Sequence, residues 1–349
     1  NYPPLAEIGS RVYLRGGYSV DKSNVDPSIV DLLNEEVFTQ RADTSAGIIR
    51  DIHAAGSIWI GTTNTGNIIR SSDSGVTWNT VFTDTLGRSL LSIYKHNGIW
   101  VCAGGDDQDG EFLRRSVDDG LTWQNVTYTW PSGFLVSVYA ANNVWICCGR
   151  STNTVLRSTD AGLTWSTVTV PLTNSYASVY EDSGVWYLGG VDSIARSVDA
   201  GLTWNAVVVA GASIITDIYR GSTDTLLAVT TQQFSGVSGQ ILRSTDEGLT
   251  WEEIVLPVDI YNTDLPEYTS IIEKGGVWYA GYQSVVSSTD DGLTWKYNVT
   301  GLTNVEGFSI DGDFIVAASD STAVSVLDST SQTFGVPRFT EDYNYMRIK

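Results

Sequence analysis

Basic residues are scarce in this chain, where 20 Lys and Arg stand against 40 Asp and Glu and give a formal net charge of −20. A nucleic-acid partner held through its phosphates requires a basic stripe, which the sequence lacks. Long apolar runs are also missing, because no stretch approaches the roughly 20 residues that span a bilayer. No charged-then-apolar signal segment opens the chain, although Asn1 leaves a processed start open. The sequence therefore predicts neither a nucleic-acid partner nor membrane insertion.

Cysteine and histidine are rare as well. The three cysteines, Cys102, Cys147 and Cys148, fall in apolar segments, and an odd count there is typical of reduced structural thiols rather than of a disulfide scaffold. Synthesis in a reducing compartment fits this best. The two histidines, His53 and His96, end predicted strands and lack zinc-site spacing, and no nucleophile elbow or phosphate loop is found. The sequence therefore predicts no cofactor and no standard catalytic set.

What the chain has instead is one eight-residue phrase, S-x-D-x-G-x-T-W, which we call the box. Six copies occur, at Ser71 to Trp78, Ser116 to Trp123, Ser158 to Trp165, Ser197 to Trp204, Ser244 to Trp251 and Ser288 to Trp295. Their aspartates follow one another at intervals of 45, 42, 39, 47 and 44 residues. A regular period of this length indicates one supersecondary unit repeated in a stack or a ring.

The composition of the box is that of a hairpin turn. Its Gly supplies a backbone angle that other residues disfavour, its Ser and Asp accept hydrogen bonds from turn amides, and its β-branched Thr restarts the strand. Its Trp is expected to pack under the next unit, for roughly 2 to 3 kcal/mol per copy. The six aspartates are therefore predicted to be structural and not metal ligands: Asp73, Asp118, Asp160, Asp199, Asp246 and Asp290.

Each repeat contains four predicted strands, which we call A to D. Strand B contains a Trp in five repeats, strand C ends in the box, and strand D follows the box Trp. Weaker copies of strand B bring the number of repeats to seven. Four short antiparallel strands per repeat of about 43 residues predict an all-β fold, a single seven-bladed β-propeller with box turns.

The two ends of the repeat array are predicted to join. The seventh repeat keeps only a remnant of the box, with Phe334 in the place of Trp, whereas residues 36 to 40 resemble an outermost strand that precedes the first full repeat. We expect this early strand to join the last blade and to remove the exposed edges of an open sheet. The predicted organisation is an N-terminal extension at 1–34, the propeller at 35–334 and a C-terminal tail at 335–349. A short helix is expected from Asp26 to Glu35.

The six boxes resemble those of the Asp-box, or BNR-repeat, propellers, which include sialidases, xyloglucan hydrolases, sortilin-like receptors and photosystem II assembly factors. This resemblance implies that the boxes lie away from the ligand-binding face, which the D-to-A and B-to-C loops form. The segments from Gly9 to Tyr18 and from Tyr343 to Lys349 resemble terminal segments of bacteriophage tail and fibre proteins. That second resemblance implies a virion protein made in the host cytoplasm, with secretion as the alternative.

Candidate binding residues follow from the loops of that face. Trp130 is the only Trp without a place in a repeat, and with Tyr128 it either stacks on a sugar or anchors a protein partner, or else caps the core between two blades. Arg150 lies near the same face, and Tyr261 and Tyr268 belong to the long loop that follows Val255. These five residues are the predicted contacts for a host-surface glycan or protein.

One loop offers a possible calcium site. Asp106, Asp107, Asp109 and Glu111 place four carboxylates in six residues, and hard oxygen ligands at such a spacing suit Ca²⁺. The full EF-hand spacing is absent, and a solvated acidic loop is the alternative.

The function predicted from these features is a non-catalytic binding or structural module of a phage virion. Its ends are expected to contact other virion proteins, its loop face a host-surface ligand, and a homo-oligomer is possible. A sialidase-like or other glycoside hydrolase is one alternative, for which Arg41, Arg88 and Arg150 are the only arginines near loops of successive blades. An assembly factor of the photosystem II type is the other.

Overall fold

The computed structural model describes most of the repeat array and three short N-terminal strands. The described residues are 6–8, 11–14, 18–21, 36–106, 110–131, 133–150, 152–171, 175–209, 213–232, 239–254, 268–282, 285–300, 302, 304–319 and 323–328. The expected helix from Asp26 to Glu35, and Phe334, lie outside these ranges. The domain boundaries at 34 and 334 therefore stay predictions.

Seven four-stranded antiparallel blades form the ring, which confirms the predicted β-propeller. Blade 1 is Ile49–Ala55, Ile58–Thr63, Asn67–Ser71 and Asn79–Thr83; blade 2 is Leu90–His96, Ile99–Asp106, Gly110–Ser116 and Gln124–Asn125; blade 3 is Leu135–Ala141, Val144–Gly149, Thr154–Ser158 and Ser166–Thr169; blade 4 is Tyr176–Asp182, Val185–Gly190, Ser193–Ser197 and Asn205–Val208. Blade 5 is Ser213–Arg220, Leu226–Gln232, Ile241–Ser244 and Glu252–Ile254; blade 6 is Tyr268–Lys274, Val277–Tyr282, Val285–Ser288 and Lys296–Thr300; blade 7 is Val305–Asp311, Phe314–Ser319, Ala323–Asp328 and Thr39–Asp43. Within each blade, strands A to D follow in this order.

The ring is closed by the early strand, as predicted. Thr39–Asp43 pairs antiparallel with Ala323–Asp328 and provides the outer strand of blade 7. The strand just before it, Glu36–Val37, pairs parallel with the outer strand of blade 6. One short segment thus joins the last two blades. Apart from the ring, Ala6–Ile8, Arg11–Leu14 and Tyr18–Asp21 form a three-stranded antiparallel sheet.

The six boxes share one hydrogen-bond pattern. In the first, one carboxylate oxygen of Asp73 accepts bonds from the Ser71 hydroxyl at 2.7 Å and the Thr77 amide at 2.8 Å, and the other accepts from the Thr77 hydroxyl at 2.6 Å. The Thr77 hydroxyl bond and then the Thr77 amide bond lower the pKa of Asp73 to about 2. Each box carboxylate is thus hydrogen-bonded within its own turn.

The tryptophans fill the spaces between blades. The five strand B tryptophans are buried, and they are Trp59, Trp100, Trp145, Trp186 and Trp278. The expectation that each box Trp packs under the next unit is wrong in direction. Trp165 of blade 3 lies in a cluster with Val101 and Leu113 of blade 2, and Trp204 of blade 4 lies in a cluster with Ile146 of blade 3. Each box therefore closes over the preceding blade.

Arginines at the ends of five C strands link successive blades. Each donates its Nε–H to a box carbonyl of the following blade: Arg70 to Asp119, Arg115 to Ala161, Arg157 to Ala200, Arg196 to Glu247 and Arg243 to Asp291, at 2.7 to 3.0 Å. The five acceptor residues have φ between 52° and 62°, which turns their carbonyls towards the arginine. We call these bonds the arginine links. These arginines are scaffold residues, as their spacing predicts.

Phe38 closes the one junction that a box does not cover. Blade 7 lacks a box, so no box Trp lies between blades 6 and 7. Phe38, 2% exposed, packs there with Tyr279 of blade 6 and Ile315 of blade 7, and its ring is 6.1 Å from that of Phe308. A residue from the start of the ring thus packs between the last two blades.

Candidate functional site

A cavity of about 620 Å³ occupies the axis of the ring. Its wall is formed by the seven A strands, each of which starts at the face that contains the D-to-A and B-to-C loops. We call this the loop face and the opposite one, which contains the boxes, the box face. The lining ends at the level of Tyr94 and Tyr139; the described residues further along the same strands, such as His96 and Ala141, do not line it. The cavity thus opens towards the loop face.

One ring of equivalent residues lies just inside the opening, where each A strand has a one-residue irregularity against strand B. The seven residues are Asp51, Ser92, Ser137, Ser178, Asp217, Ser270 and Gly307. Most bond to the backbone of the following blade: Ser92 Oγ accepts the amide of Val138 at 3.2 Å, and Ser270 Oγ that of Phe308 at 3.2 Å. Asp51 and Asp217 do the same with carboxylates. These two acids are the unusual members of the ring.

Both acids are half-buried and accept hydrogen bonds from backbone amides. Asp51 accepts the amides of Ile52 at 2.7 Å and Ile93 at 2.8 Å. Asp217 accepts the amide of Ile218 at 2.9 Å, that of Ile271 at 3.0 Å and the Ser270 hydroxyl at 2.9 Å. Burial raises the pKa of Asp51 to about 7 and that of Asp217 to about 6, and the negative charge of Asp217 adds to the rise at Asp51.

This burial gives a testable pH dependence. The folded pKa of Asp51 is raised, so the folded chain keeps a proton that the unfolded chain has lost, and stability falls as the pH rises from about 4 to about 7. Asp51→Ser, which installs the serine that four other blades have at this position, should remove part of this loss of stability with rising pH. We expect urea unfolding at pH 8 to show the variant more stable than wild type by about 2 kcal/mol, and the gain to shrink by pH 4.5. A gain of equal size at both pH values would contradict the assignment.

An aromatic collar forms the floor of the cavity. His53, Tyr94, Tyr139, Tyr180 and Tyr219 occupy equivalent positions in blades 1 to 5, and neighbouring ring centroids are 4.2 to 5.6 Å apart. Burial and then the charge of Lys95 lower the pKa of His53 to about 4, so His53 is neutral near pH 7. The prediction that His53 is a packing position agrees with these contacts.

The mouth of the cavity is polar. Arg50 of blade 1 donates to Glu306 of blade 7 at 2.9 Å, so these two charges pair with each other. On the blade 3 side the guanidinium of Arg150 lies over the Phe134 ring at 5.5 Å from its centroid. Arg150 is exposed and lines the cavity, which places this predicted contact residue at the mouth.

Trp130 and Tyr128 pack against the junction of blades 2 and 3. Both are half-buried against the cluster that Leu113 of blade 2 and Leu156 of blade 3 share, and the Trp130 ring lies against Gly149. Trp130 Nε1 is buried with no hydrogen-bond partner among the described residues. Of the two interpretations of Trp130, this placement corresponds to the cap between blades, and direct ligand contact by either side chain stays a prediction.

The remaining predicted contacts are elsewhere or outside the described residues. Tyr268 is 2% exposed and packs with Ile241 and Trp278 between blades 5 and 6, so its ring is part of the core. Tyr261 lies outside the described ranges. Arg88 forms two 3.0 Å bonds with the Asp84 carboxylate, so it stabilises a loop and does not converge with Arg150 on one anion.

The predicted calcium loop is only partly described. Asp107 and Asp109 lie outside the described ranges, and of Asp106 only the backbone is described, at the end of a strand. Glu111 is half-buried beside Tyr128, whose pKa is raised mainly by burial and then by the charge of Glu111. Among the described residues no group of three or more His, Cys, Asp or Glu side chains is placed to hold a metal ion. Calcium binding stays a prediction.

The acids of the cavity were not among the residues that the sequence singled out. Asp51 and Asp217 occupy the same repeat position, but in four of the other blades that position is Ser, so no acidic motif repeats. Aligning the A strands on their Tyr residues would have brought the two acids into register, since each lies two residues before the collar position.

None of the described residues belongs to a helix with the length and apolar character that a membrane span requires.

No model of a known protein family matches the sequence, and no curated protein is similar to it. Solved structures share its fold. YCF48 bound to a D1 peptide superposes with a TM-score of 0.63 at 13% identity, over 83% of this chain and 95% of that one. YCF48 from Cyanidioschyzon merolae superposes with a TM-score of 0.63 at 13% identity, over 84% of this chain and 99% of that one. An ancestral GH74 enzyme superposes with a TM-score of 0.61 at 11% identity, over 83% of this chain and 46% of that one. At such identities the likeness concerns the β-propeller fold alone.

Proposed function

We propose that this chain is a non-catalytic recognition module of a phage virion, which receives a host-surface ligand at the loop face. The observation that carries the proposal is the cavity, which opens on that face and has Arg150 at its mouth. A volume of about 620 Å³ is within the usual range for small-molecule and side-chain pockets. The box face has no comparable role, because its aspartates and arginines are bound to the scaffold.

A protein ligand is favoured over a glycan. A chain of the same fold, YCF48, has been solved with a D1 peptide, so a propeller of this size can bind a polypeptide. That likeness supports protein binding in general and does not identify the partner. The photosystem II type of assembly factor has no further support in the described geometry, so it is not carried forward.

The virion part of the proposal is supported by the sequence. The terminal segments resemble those of phage tail and fibre proteins, and the cysteines Cys102, Cys147 and Cys148 are free and buried. Buried reduced thiols are those expected of a chain folded in a reducing cytoplasm. We expect residues 335–349 to contact other virion proteins.

The non-catalytic part rests on how the charged side chains are used. A sialidase requires three arginines that converge on one carboxylate, whereas Arg88 is bound to Asp84 and, of the arginines that line the cavity, Arg50 is paired with Glu306 and Arg150 lies over Phe134. Asp51 and Asp217 do share the cavity, and paired acids are the machinery of many glycosidases. Turnover of fluorogenic glycosides that is abolished in Asp51→Asn would overturn this part of the proposal.

Two experiments test the proposal. Mass spectrometry of purified particles should detect the chain, and deletion of residues 335–349 should remove it from them. Binding of the purified propeller to host cells should fall at least tenfold in the double variant Phe134→Ala, Arg150→Ala. Leu163→Ala is the matched control, because Leu163 is 57% exposed on the box face. Absence from particles, or equal loss in both variants, would contradict the proposal.

A further inference from the structure

Two of the seven cavity positions hold an acid that the fold does not need. Ser92, Ser137 and Ser270 at equivalent positions accept the same amide bond from the following blade, at 3.2 to 3.3 Å, without introducing a charge. A half-buried carboxylate at such a position is therefore costly without being structurally required. Residues that weaken a fold without an evident structural gain are expected at functional sites.

The two acids face one space. Asp51 belongs to blade 1 and Asp217 to blade 5, which are on opposite sides of a seven-membered ring, and both line the cavity. Blade 7 contributes Gly307 beside Asp51, where an added Cβ would lie 3.3 Å from Asp51 Oδ1. The glycine keeps the space next to this carboxylate open.

Neither arginine that lines the cavity is paired with these acids, because Arg50 is bound to Glu306 and Arg150 lies over the Phe134 ring at the mouth. Around Asp51 lie Arg50 and His53 on its own strand, Ser92 from blade 2 and Glu306 from blade 7. Arg50 is paired with Glu306, and His53 is neutral near pH 7. Around Asp217 lie Ser270 from blade 6, Ser178 from blade 4 and Tyr219 on its own strand. Burial and then the negative charge of Glu273 raise the pKa of Tyr219 to about 12, so this side chain is neutral near pH 7. None of these groups supplies a free positive charge.

We infer that the cavity binds the ammonium group of a lysine side chain, held between Asp51 and Asp217 above the aromatic collar. The inference rests on the proposed function, since it specifies the ligand group that enters from the loop face. The two carboxylates attract the positive charge of an ammonium group, and the tyrosine rings of the floor provide cation–π attraction. An unbranched four-carbon stem passes the mouth while its apolar length lies along Ile93 and Val138, which also line the cavity.

Other ligand classes fit less well. A neutral sugar has no charge to offset two ionised carboxylates. A metal ion would find two carboxylates but, among the described residues, no third ligand of the usual kind. A guanidinium group is planar and wider, and it is best matched by bidentate pairing with a single carboxylate.

The test uses the purified full chain and small probes. Nα-acetyl-lysine-N-methylamide should bind saturably in calorimetry or NMR titration at pH 8. Its norleucine counterpart and its Nε-acetylated form, which keep the stem but lose the charge, should bind at least tenfold more weakly. At pH 5 the lysine probe should also bind at least tenfold more weakly than at pH 8, because both carboxylates then bind protons.

Protein variants provide the second arm. Asp51→Ser and Asp217→Ser install the residue that four other blades have at this position. Each substitution should weaken binding of the lysine probe at least tenfold. Glu253→Gln removes an exposed charge from the outer strand of blade 5 and should leave binding unchanged. Equal binding of the charged and neutral probes, or full binding by both serine variants, would overturn the inference. Lysine binding by a chain absent from particles would overturn the proposed function alone.

Discussion

Phe38→Ala should lower the free energy of unfolding by about 3 to 4 kcal/mol, as expected for a buried aromatic ring replaced by Ala. Phe38 is 2% exposed and packs against both blade 6 and blade 7, in the one junction without a box Trp. The backbone before it pairs with the outer strand of blade 6, and the backbone after it is the outer strand of blade 7, paired with strand C of that blade. Loss of the Phe38 phenyl group should therefore weaken the closure of the propeller itself. Urea unfolding followed by tryptophan fluorescence measures the change.

Phe82→Ala is the matched control for this prediction. Phe82 lies in the outer strand of blade 1, in a segment of similar sequence, but it is half-buried and closes no junction between chain ends. Phe82→Ala should lower the free energy of unfolding by about half as much as Phe38→Ala, or less. Equal losses for the two variants would show that Phe38 contributes only its buried area and has no special role in ring closure.

Gly75→Ala should be more damaging still, and we expect a loss above about 3 kcal/mol or failure to fold. Gly75 has φ +83°, where an L-residue is strained, and an added Cβ would lie 2.5 Å from two ring atoms of Trp59. Trp59 is fully buried and its indole donates to Asp311 at 2.7 Å, so the ring has little freedom to move. Overpacking and backbone strain act together at this position.

Two other glycines separate these two effects. Gly98 and Gly184 have φ +78° and +88°, and an added Cβ at either would meet nothing within 4 Å. Gly98→Ala and Gly184→Ala should cost only the strain, about 1 kcal/mol each. Thermal unfolding of the three variants provides the comparison. If Gly75→Ala were no worse than the other two, the close contact with Trp59 would be excluded as the cause.

The sequence predicted the fold because the box is a local device that repeats. Each copy specifies its own turn through Ser, Asp, Gly and Thr, so its meaning does not depend on distant contacts. The early strand at 36–40 was predicted to close the ring because it resembles the outer strand around Phe82. The direction in which a box Trp packs was predicted wrongly, since a sequence period does not distinguish the preceding blade from the following one.

The site was less accessible to prediction because it depends on how the blades are arranged around the axis. Arg150 was found through its loop position, and it lies at the mouth of the cavity. Trp130 was found by counting tryptophans, yet it packs between blades. Asp51 and Asp217 are 166 positions apart in the sequence and line the same cavity only when the blades are arranged in a closed ring. No local pattern contains that information.

The closing strand also determines how the molecule responds to tension. Thr39–Asp43 and Ala323–Asp328 are adjacent in one blade, so a force that separates the two sides of this blade acts first on their shared hydrogen bonds. The other six blades, five of whose junctions contain arginine links, are not loaded until this pairing breaks. A pull on residues 39 and 328 should therefore meet a single mechanical threshold at blade 7, followed by sequential release of the remaining blades.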